Sequence, residues 1–308
     1  MKKCVVIYNP NSGKAVKHDF TEEFTNILKE YNYDVNFIKT EYKGQAKEIV
    51  TNLEIVDLVI SIGGDGTFNE SMTGNLRRKE RLVLAHIPMG TANDIGAMFG
   101  YEKNIFKNLK LLLNGVVKDI DICTINNQPF VYVAGFGKFV NISYETPRHL
   151  KKKYGYLAYL IEGIKEGIED IPIYDIDYYI DGKKYSDKVS FMLISNANRI
   201  AGINNFYKDV KLDDNCFEVL FCKISKKKDI LKNLYYLTKY DITKLPGFKF
   251  YKINNLKIEF NTPPEKGWSI DGEELVTDKN IFEIKMVRNV KILLPKKNVG
   301  KLFLEEME

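Results

Sequence analysis

At 308 residues, 44% of them hydrophobic and 28% charged, the chain is long enough for about two domains and can bury a core without disulfide or metal staples. That ordinary composition excludes disorder, collagen and coiled coil as its main character. Forty-six basic against 41 acidic residues leave a formal charge of +5, too small an excess to argue for a nucleic-acid binder, although it would suit brief contact with an anionic surface.

Strands and helices alternate over the first 120 residues. Lys3–Tyr8 is a short apolar strand stopped by the turn cluster Asn9-Pro10-Asn11-Ser12-Gly13. Phe20, Phe24, Ile27, Leu28 and Tyr31 recur on one helical face, Val35 and Phe37 alternate as in a strand, and Ala46, Ile49, Val50 and Leu53 repeat the helical spacing. Val56–Ile62 is apolar nearly throughout, as expected in a sheet covered on both faces. A helix is predicted after Thr67, then a strand over Leu82–Ile87 and a helix over Asn104–Asn114. This order predicts an α/β domain over residues 1–120 with a doubly wound, mostly parallel sheet.

Near residue 119 the pattern changes. Asp119–Thr124, Phe130–Phe136, Tyr174–Ile180, Lys188–Ile194, Phe217–Ile224, Lys249–Phe260 and Phe282–Leu294 read as strands, with hairpins at Asn126-Asn127 and Asp181-Gly182. Helical spacing interrupts them at about 147–169 and 228–240. Residues 121–294 should form a β-rich, sandwich-like C-terminal domain, and 295–308 a solvated tail. No apolar run approaches the ~18 residues of a membrane-spanning helix. The apolar stretch Cys4 to Tyr8 is too short for a signal peptide. A cytoplasmic protein without a transmembrane segment is expected. Cys4, Cys123, Cys216 and Cys222 form no CxxC pair and should be reduced, structural thiols.

Three turns carry the chemistry, each directly after a predicted strand: Asn9-Pro10-Asn11-Ser12-Gly13-Lys14, Gly63-Gly64-Asp65-Gly66-Thr67-Phe68-Asn69-Glu70 and Pro88-Met89-Gly90-Thr91-Ala92-Asn93-Asp94. In an open parallel sheet, loops at the carboxyl ends gather where ligands bind. Clustered glycines let the backbone approach an anion, and Thr67 at a helix start adds a hydroxyl and the positive end of the dipole. These features suit phosphate. Asp65 would repel phosphate unless a cation stands between them, which implies Mg²⁺. Neither GxxxxGK[ST] nor a complete GxGxxG is present.

In order and spacing these three motifs resemble the catalytic domain of diacylglycerol kinases, shared by sphingosine and ceramide kinases and by bacterial soluble lipid kinases. Gly-Gly-Asp-Gly-Thr alone also occurs in NAD kinases. Trp268-Ser269-Ile270-Asp271-Gly272-Glu273 is similar to the family's Asp-Gly-Glu segment, and Lys211–Cys216 to the structural magnesium loop of bacterial members. The resemblance implies a nucleotide cleft between the two domains. It places ATP on Asn9, Pro10, Asn11, Ser12 and Gly13 and on Gly64, Asp65, Gly66, Thr67, Phe68, Asn69 and Glu70, with Thr40 and Thr91 as further contacts. Asp65 would hold the catalytic Mg²⁺ through water, supported by Asp94. Lys14 is open to two readings, a phosphate contact or a solvated side chain.

Glu273 matches the general base that takes a proton from the lipid hydroxyl, with Glu274 the second candidate; spacing alone would make Glu273 a hairpin residue. No histidine lies in the motifs. Asp214 matches a carboxylate ligand of a second magnesium, with main-chain carbonyls from Lys211 and Cys216; a surface turn without metal is the other reading. Ala97 stands where bacterial diacylglycerol kinases carry Arg, and Glu162 replaces a helix lysine.

The function implied is ATP- and Mg²⁺-dependent phosphorylation of a lipid hydroxyl, with diacylglycerol converted to phosphatidic acid. An NAD kinase-like enzyme and a nucleotide- or lipid-binding protein without turnover are the alternatives. The substrate implies transient peripheral contact with the inner face of the membrane. Candidates for that contact are Arg148 with Lys151-Lys152-Lys153-Tyr154, Lys226-Lys227-Lys228, and Lys244 to Lys252 with Phe248, Phe250 and Tyr251. A homodimer is one assembly open to the chain.

Overall fold

The computed structural model describes residues 1–12, 20–90, 93–137, 172–200, 203–223, 241–262, 267–297 and 300–304. The helices expected at about 147–169 and 228–240, the acidic end Glu305–Glu308, and Gly13, Lys14, Thr91, Arg148 and Glu162 lie outside these residues. The chain divides into two compact units, Met1–Asp121 with Arg288–Glu308, and Ile122–Val287.

The first unit contains β1 (Lys2–Tyr8), α1 (Thr21–Glu30), β2 (Tyr33–Lys39), α2 (Gln45–Asn52), β3 (Leu58–Gly63), α3 (Asp65–Leu76), β4 (Leu84–Pro88), α4 (Asp94–Met98) and α5 (Ile105–Leu113). The strands run parallel in the order β2-β1-β3-β4. Alternate side chains of a strand face opposite ways. Val6, Ile60 and Ile62 therefore share one apolar cluster with Phe24, Ile27 and Leu28 of α1 and Leu109 and Leu112 of α5. Toward α3, Phe68 lies 4.8 Å from the His86 ring, and Ser71 Oγ meets Ser61 Oγ at 3.3 Å. The sheet is thus covered on both faces, as its apolar strands predict. Asn104 caps α5, its side chain accepting from the N–H groups of Phe106 and Lys107.

His86 is 1% exposed, and burial pushes its imidazole down to about 4, partly offset by the hydrogen bond between Nδ1 and Ser61 O. A neutral imidazole in the fold and an ordinary one in the unfolded chain means that stability present above about pH 6.5 is lost as pH falls toward 4. The slope approaches about 1.4 kcal/mol per pH unit. Urea unfolding of His86→Asn, which cannot titrate, should lack that part of the slope; an identical slope in both proteins would remove His86 as its source.

Residues 288–308, read from the sequence as the end of the β-rich domain and a tail, belong to the first unit. The reason is pairing and burial. The long strand β18 (Ile281–Leu294) places Ile292 beside Leu84 of β4 in parallel, and Leu302 and Phe303 are buried.

The second unit is antiparallel. One sheet holds the first half of β18, β15 (Asn255–Phe260), β8 (Tyr174–Ile180) and β9 (Lys183–Val189), joined by the hairpin of β5 (Val116–Ile125) and β6 (Gln128–Phe130). The other runs β14 (Phe248–Ile253), β13 (Phe217–Cys222), β10 (Phe191–Ser195), β7 (Val133–Gly137), β16 (Trp268–Ile270), β17 (Glu273–Leu275). Tyr178, Ile258 and Phe260 of the first sheet share a core with Phe136, Met192, Phe221 and Trp268 of the second, so the unit is a sandwich.

Two segments read as single strands change sheet midway. Lys188–Ile194 breaks at Ser190, whose N–H and hydroxyl both donate to Cys222 O, and Lys249–Phe260 bends at Asn254. Cys4, Cys123 and Cys222 are buried free thiols, and burial pushes Cys4 up to about 12, which fits the inert role expected. Among the described residues no helix is long and apolar enough to cross a membrane.

Candidate active site

Chain order decides where the first unit can bind a ligand. From β1 the chain steps to β2 on one side, and β3 then lies on the other side of β1. The carboxyl ends of β1 and β3 flank this switch point, where an open α/β sheet leaves a crevice. Tyr8 pairs with Ile62, and Gly63 with Pro88, so the three strands end level and their loops emerge together.

Those loops are bonded to one another. Asn9 N donates to Ile62 O, Met89 N to Gly63 O, and Asn9 Oδ1 accepts from Asn11 N, which tightens the first turn. Ser12 Oγ accepts from Gly64 N at 3.0 Å. Gly64 and Gly90 touch backbone to backbone: a Cβ on Gly90 would stand 2.6 Å from Gly64 Cα. Any larger residue at 90 would force the second and third loops apart. Asn93, in left-handed backbone (φ 53°), sends its amide to Gly90 O.

Asp65 is the main tie. Its carboxylate, 9% exposed, accepts Asp94 N on one oxygen (3.0 Å) and Ile95 N on the other (3.2 Å), so it caps α4 from another loop. The helix α3 also begins at Asp65, two residues ahead of the Thr67 expected, with extended Gly64 before it and no side-chain cap. Its first turn therefore presents backbone N–H groups and the positive end of the helix dipole beside the loops. Carboxylate oxygens are the donors that a hard cation takes, directly or through water. The Asp94 carboxyl, 5% exposed, begins α4 next to it. The donor set fits Mg²⁺.

The remaining expected contacts divide. Thr67 is buried with its hydroxyl packed on Gly63. Thr40, just past β2, bonds Tyr8 O through both N–H (2.9 Å) and hydroxyl (3.3 Å). Phe68 is core, 0% exposed against His86. Asn69 accepts from the Thr73 hydroxyl, and Glu70 accepts from Gly44 N at the start of α2, where Gly44 has φ +91°. Asn9, Ser12, Gly64, Asp65 and Asp94 are the residues brought together. Ala97 is exposed on α4.

In the second unit, Asp271 and Gly272 both take left-handed backbone (φ 48° and 85°) and form the two-residue turn between β16 and β17. Glu273 follows as the exposed first residue of β17, paired with Ile270. Asp271 itself accepts three backbone N–H groups, from Val131 (2.6 Å), Tyr132 (3.1 Å) and Val133 (3.0 Å). This fixes the hairpin that carries Glu273. It also splits the expected strand Phe130–Phe136, because the backbone wraps the carboxylate there.

The catalytic-domain family of diacylglycerol kinases matches residues 3–125. The diacylglycerol kinase of Bacillus subtilis (strain 168) is 27% identical over 308 residues, 98% of this chain and 99% of its own. That of Staphylococcus aureus (strain JH9) is 30% identical over 274 residues, 88% of this chain and 86% of its own. The chain belongs to the diacylglycerol kinase family. A Bacillus anthracis (strain Sterne) crystal structure, assigned as a diacylglycerol kinase, superimposes with TM-score 0.78 at 26% identity over 95% of both chains. As a family member the protein is a lipid kinase, a transferase that moves a phosphoryl group from ATP to a lipid hydroxyl. These relatives give no support to the NAD kinase or non-catalytic alternatives.

Two segments of the second unit that the sequence singles out take the following form in this kinase. The segment Lys244 to Lys252, a candidate for membrane contact, is mostly strand β14 with its aromatic residues half-buried, Phe248 and Phe250 on one face and Tyr251 on the other. Phe248 and Phe250 pack with Leu220 and Tyr207, Tyr251 bonds the Tyr178 hydroxyl at 2.8 Å, and Lys249 is paired with Asp187. In the Lys211–Cys216 loop both oxygens of the Asp214 carboxylate have partners within the chain. Asp214 Oδ1 accepts from Cys216 N at 3.0 Å, and Oδ2 lies 2.6 Å from Lys252 Nζ. Among the described residues no group of three or more His, Cys, Asp or Glu is arranged to hold a metal. Asn215 does take the left-handed backbone expected there (φ 57°).

Proposed function

We propose that this kinase phosphorylates diacylglycerol to phosphatidic acid with Mg²⁺-ATP. The observation that carries the reading is the bonding of Ser12, Gly64, Gly90 and Asp65 into one rigid mouth at the carboxyl ends of β1, β3 and β4. The first turn of α3 and the Asn9–Ser12 turn direct N–H groups at the phosphates, with Gly13, Lys14 and Thr91 as further contacts. Asp65 and Asp94 would hold the ion, which when bound offsets charge on the transferring group. Glu273 takes the proton of the lipid hydroxyl as that oxygen attacks, and Asp271 keeps its hairpin in place. The lipid is met at a bilayer surface, by transient contact from the cytoplasm.

Labelled ATP, incubated separately with vesicles containing diacylglycerol, with vesicles of other hydroxylated lipids and with NAD, tests the proposal. Label should accumulate in phosphatidic acid. Label in NAD, in another lipid in preference to diacylglycerol, or in none of them would refute it.

A further inference from the structure

Where the family resemblance implies a divalent ion, the Lys211–Cys216 loop is held by a cation of the chain's own. Lys252 sits on β14 directly opposite Glu218 on β13, so strand register fixes its starting point. From there its ammonium reaches Asp214 Oδ2 at 2.6 Å, the main-chain oxygen of Asp209 at 3.0 Å and Glu218 Oε1 at 3.9 Å. An ammonium has three N–H donors and no acceptor, and here three oxygens surround it. They come from a strand and from two points of one loop, whose Asp209 and Asn215 both take left-handed backbone (φ 57°).

The loop is anchored below by Val210 and Leu212, each 3% exposed. The Asp214 side chain is only 12% exposed and that of Lys252 35%, so the pair is substantially shielded from solvent. A magnesium ion binds oxygen at about 2.0–2.1 Å and requires near-octahedral geometry. One seated on Asp214 Oδ2 would have to share that oxygen with the ammonium 2.6 Å away, and the two positive charges would repel.

We infer that Lys252 takes the place of the second magnesium, so that this loop is folded and fixed without metal. The residues are far along the chain from the phosphate loops, and the inference is independent of which lipid is phosphorylated.

Thermal unfolding of chelator-treated protein tests it, with no nucleotide present so that no ion arrives with ATP. Wild-type Tm should be the same in millimolar MgCl₂ as in NaCl of matched ionic strength. Lys252→Met should unfold a few degrees lower without Mg²⁺ and recover in millimolar Mg²⁺, because its removal frees Asp214 for an ion. Lys252→Arg, which keeps the charge, should show no such Mg²⁺ dependence. A wild-type Tm that climbs saturably with Mg²⁺, and no longer does so in Asp214→Asn, would overturn the inference. A folded Lys252→Met protein indifferent to Mg²⁺ would overturn it as well. Should that variant fail to fold, the wild-type and Asp214→Asn titrations still decide.

Discussion

Asp65→Ala should lose at least about 10³-fold in turnover and should also unfold more easily, because its carboxylate both serves the phosphates and caps α4. Removing it leaves the N–H groups of Asp94 and Ile95 without their carboxylate acceptor. Hydrogen bonds to charged groups contribute about 1.5–3 kcal/mol each, so a stability loss of roughly 2–5 kcal/mol is expected. Asp65→Asn separates the two roles. Its remaining carbonyl oxygen can still accept one N–H, so stability should recover in part, whereas activity should not, since a neutral amide does not hold the ion. The kcat at saturating Mg²⁺-ATP and the urea midpoint, measured on both variants, check this. Wild-type turnover in either one would take Asp65 out of the chemistry and leave it as a cap.

Glu273→Gln should lower kcat by about 10²–10⁴-fold, a barrier increase of roughly 2.7–5.5 kcal/mol, with the KM for ATP and the Tm unchanged. The expectation of unchanged stability comes from its position: Glu273 is exposed at the first residue of β17, and the turn before it is fixed by Asp271. A loss under about tenfold would assign Glu273 to the hairpin alone and move the proton to Glu274 or Asp94.

The alternation of the first 120 residues was readable because a parallel sheet covered on both faces imposes apolar strands and amphipathic helices at regular intervals. The loops were readable for a related reason: the close backbone approach of Gly90 to Gly64 leaves no room for a side chain at 90. What sequence could not show was where side chains 29 residues or more apart would meet. Asp65 reads as a phosphate-loop acid, and its bonds to the start of α4 emerge only when the second and third loops meet.

Asp271 is the same case at 140 residues' separation from Val131. At the sheet changes the inward set shifts by one residue, from Val189 to Met192 and Ile194 across Ser190 and from Tyr251 and Ile253 to Leu256, Ile258 and Phe260 across Asn254, while the run of strand-type residues continues on both sides. The β18 strand reads as one strand, with apolar residues at 282, 284, 286, 290, 292 and 294, and only its pairing with β4 reveals that its last residues belong to the first unit. Lys252 reads only as part of a basic segment: it becomes the partner of Asp214 through the register of β13 and β14 and the fold of a loop 38 residues earlier.

The central claim, that the loops after β1, β3 and β4 form the phosphate cradle, is tested most directly by a crystal structure with Mg²⁺ and a non-hydrolysable ATP analogue. The account predicts phosphate oxygens within hydrogen-bond distance of backbone N–H groups in the Asn9–Gly13 turn and the first turn of α3, with the ion bound to Asp65 through water. A nucleotide bound away from these loops, or seated there with Asp65 remote from both ion and phosphate, would contradict it.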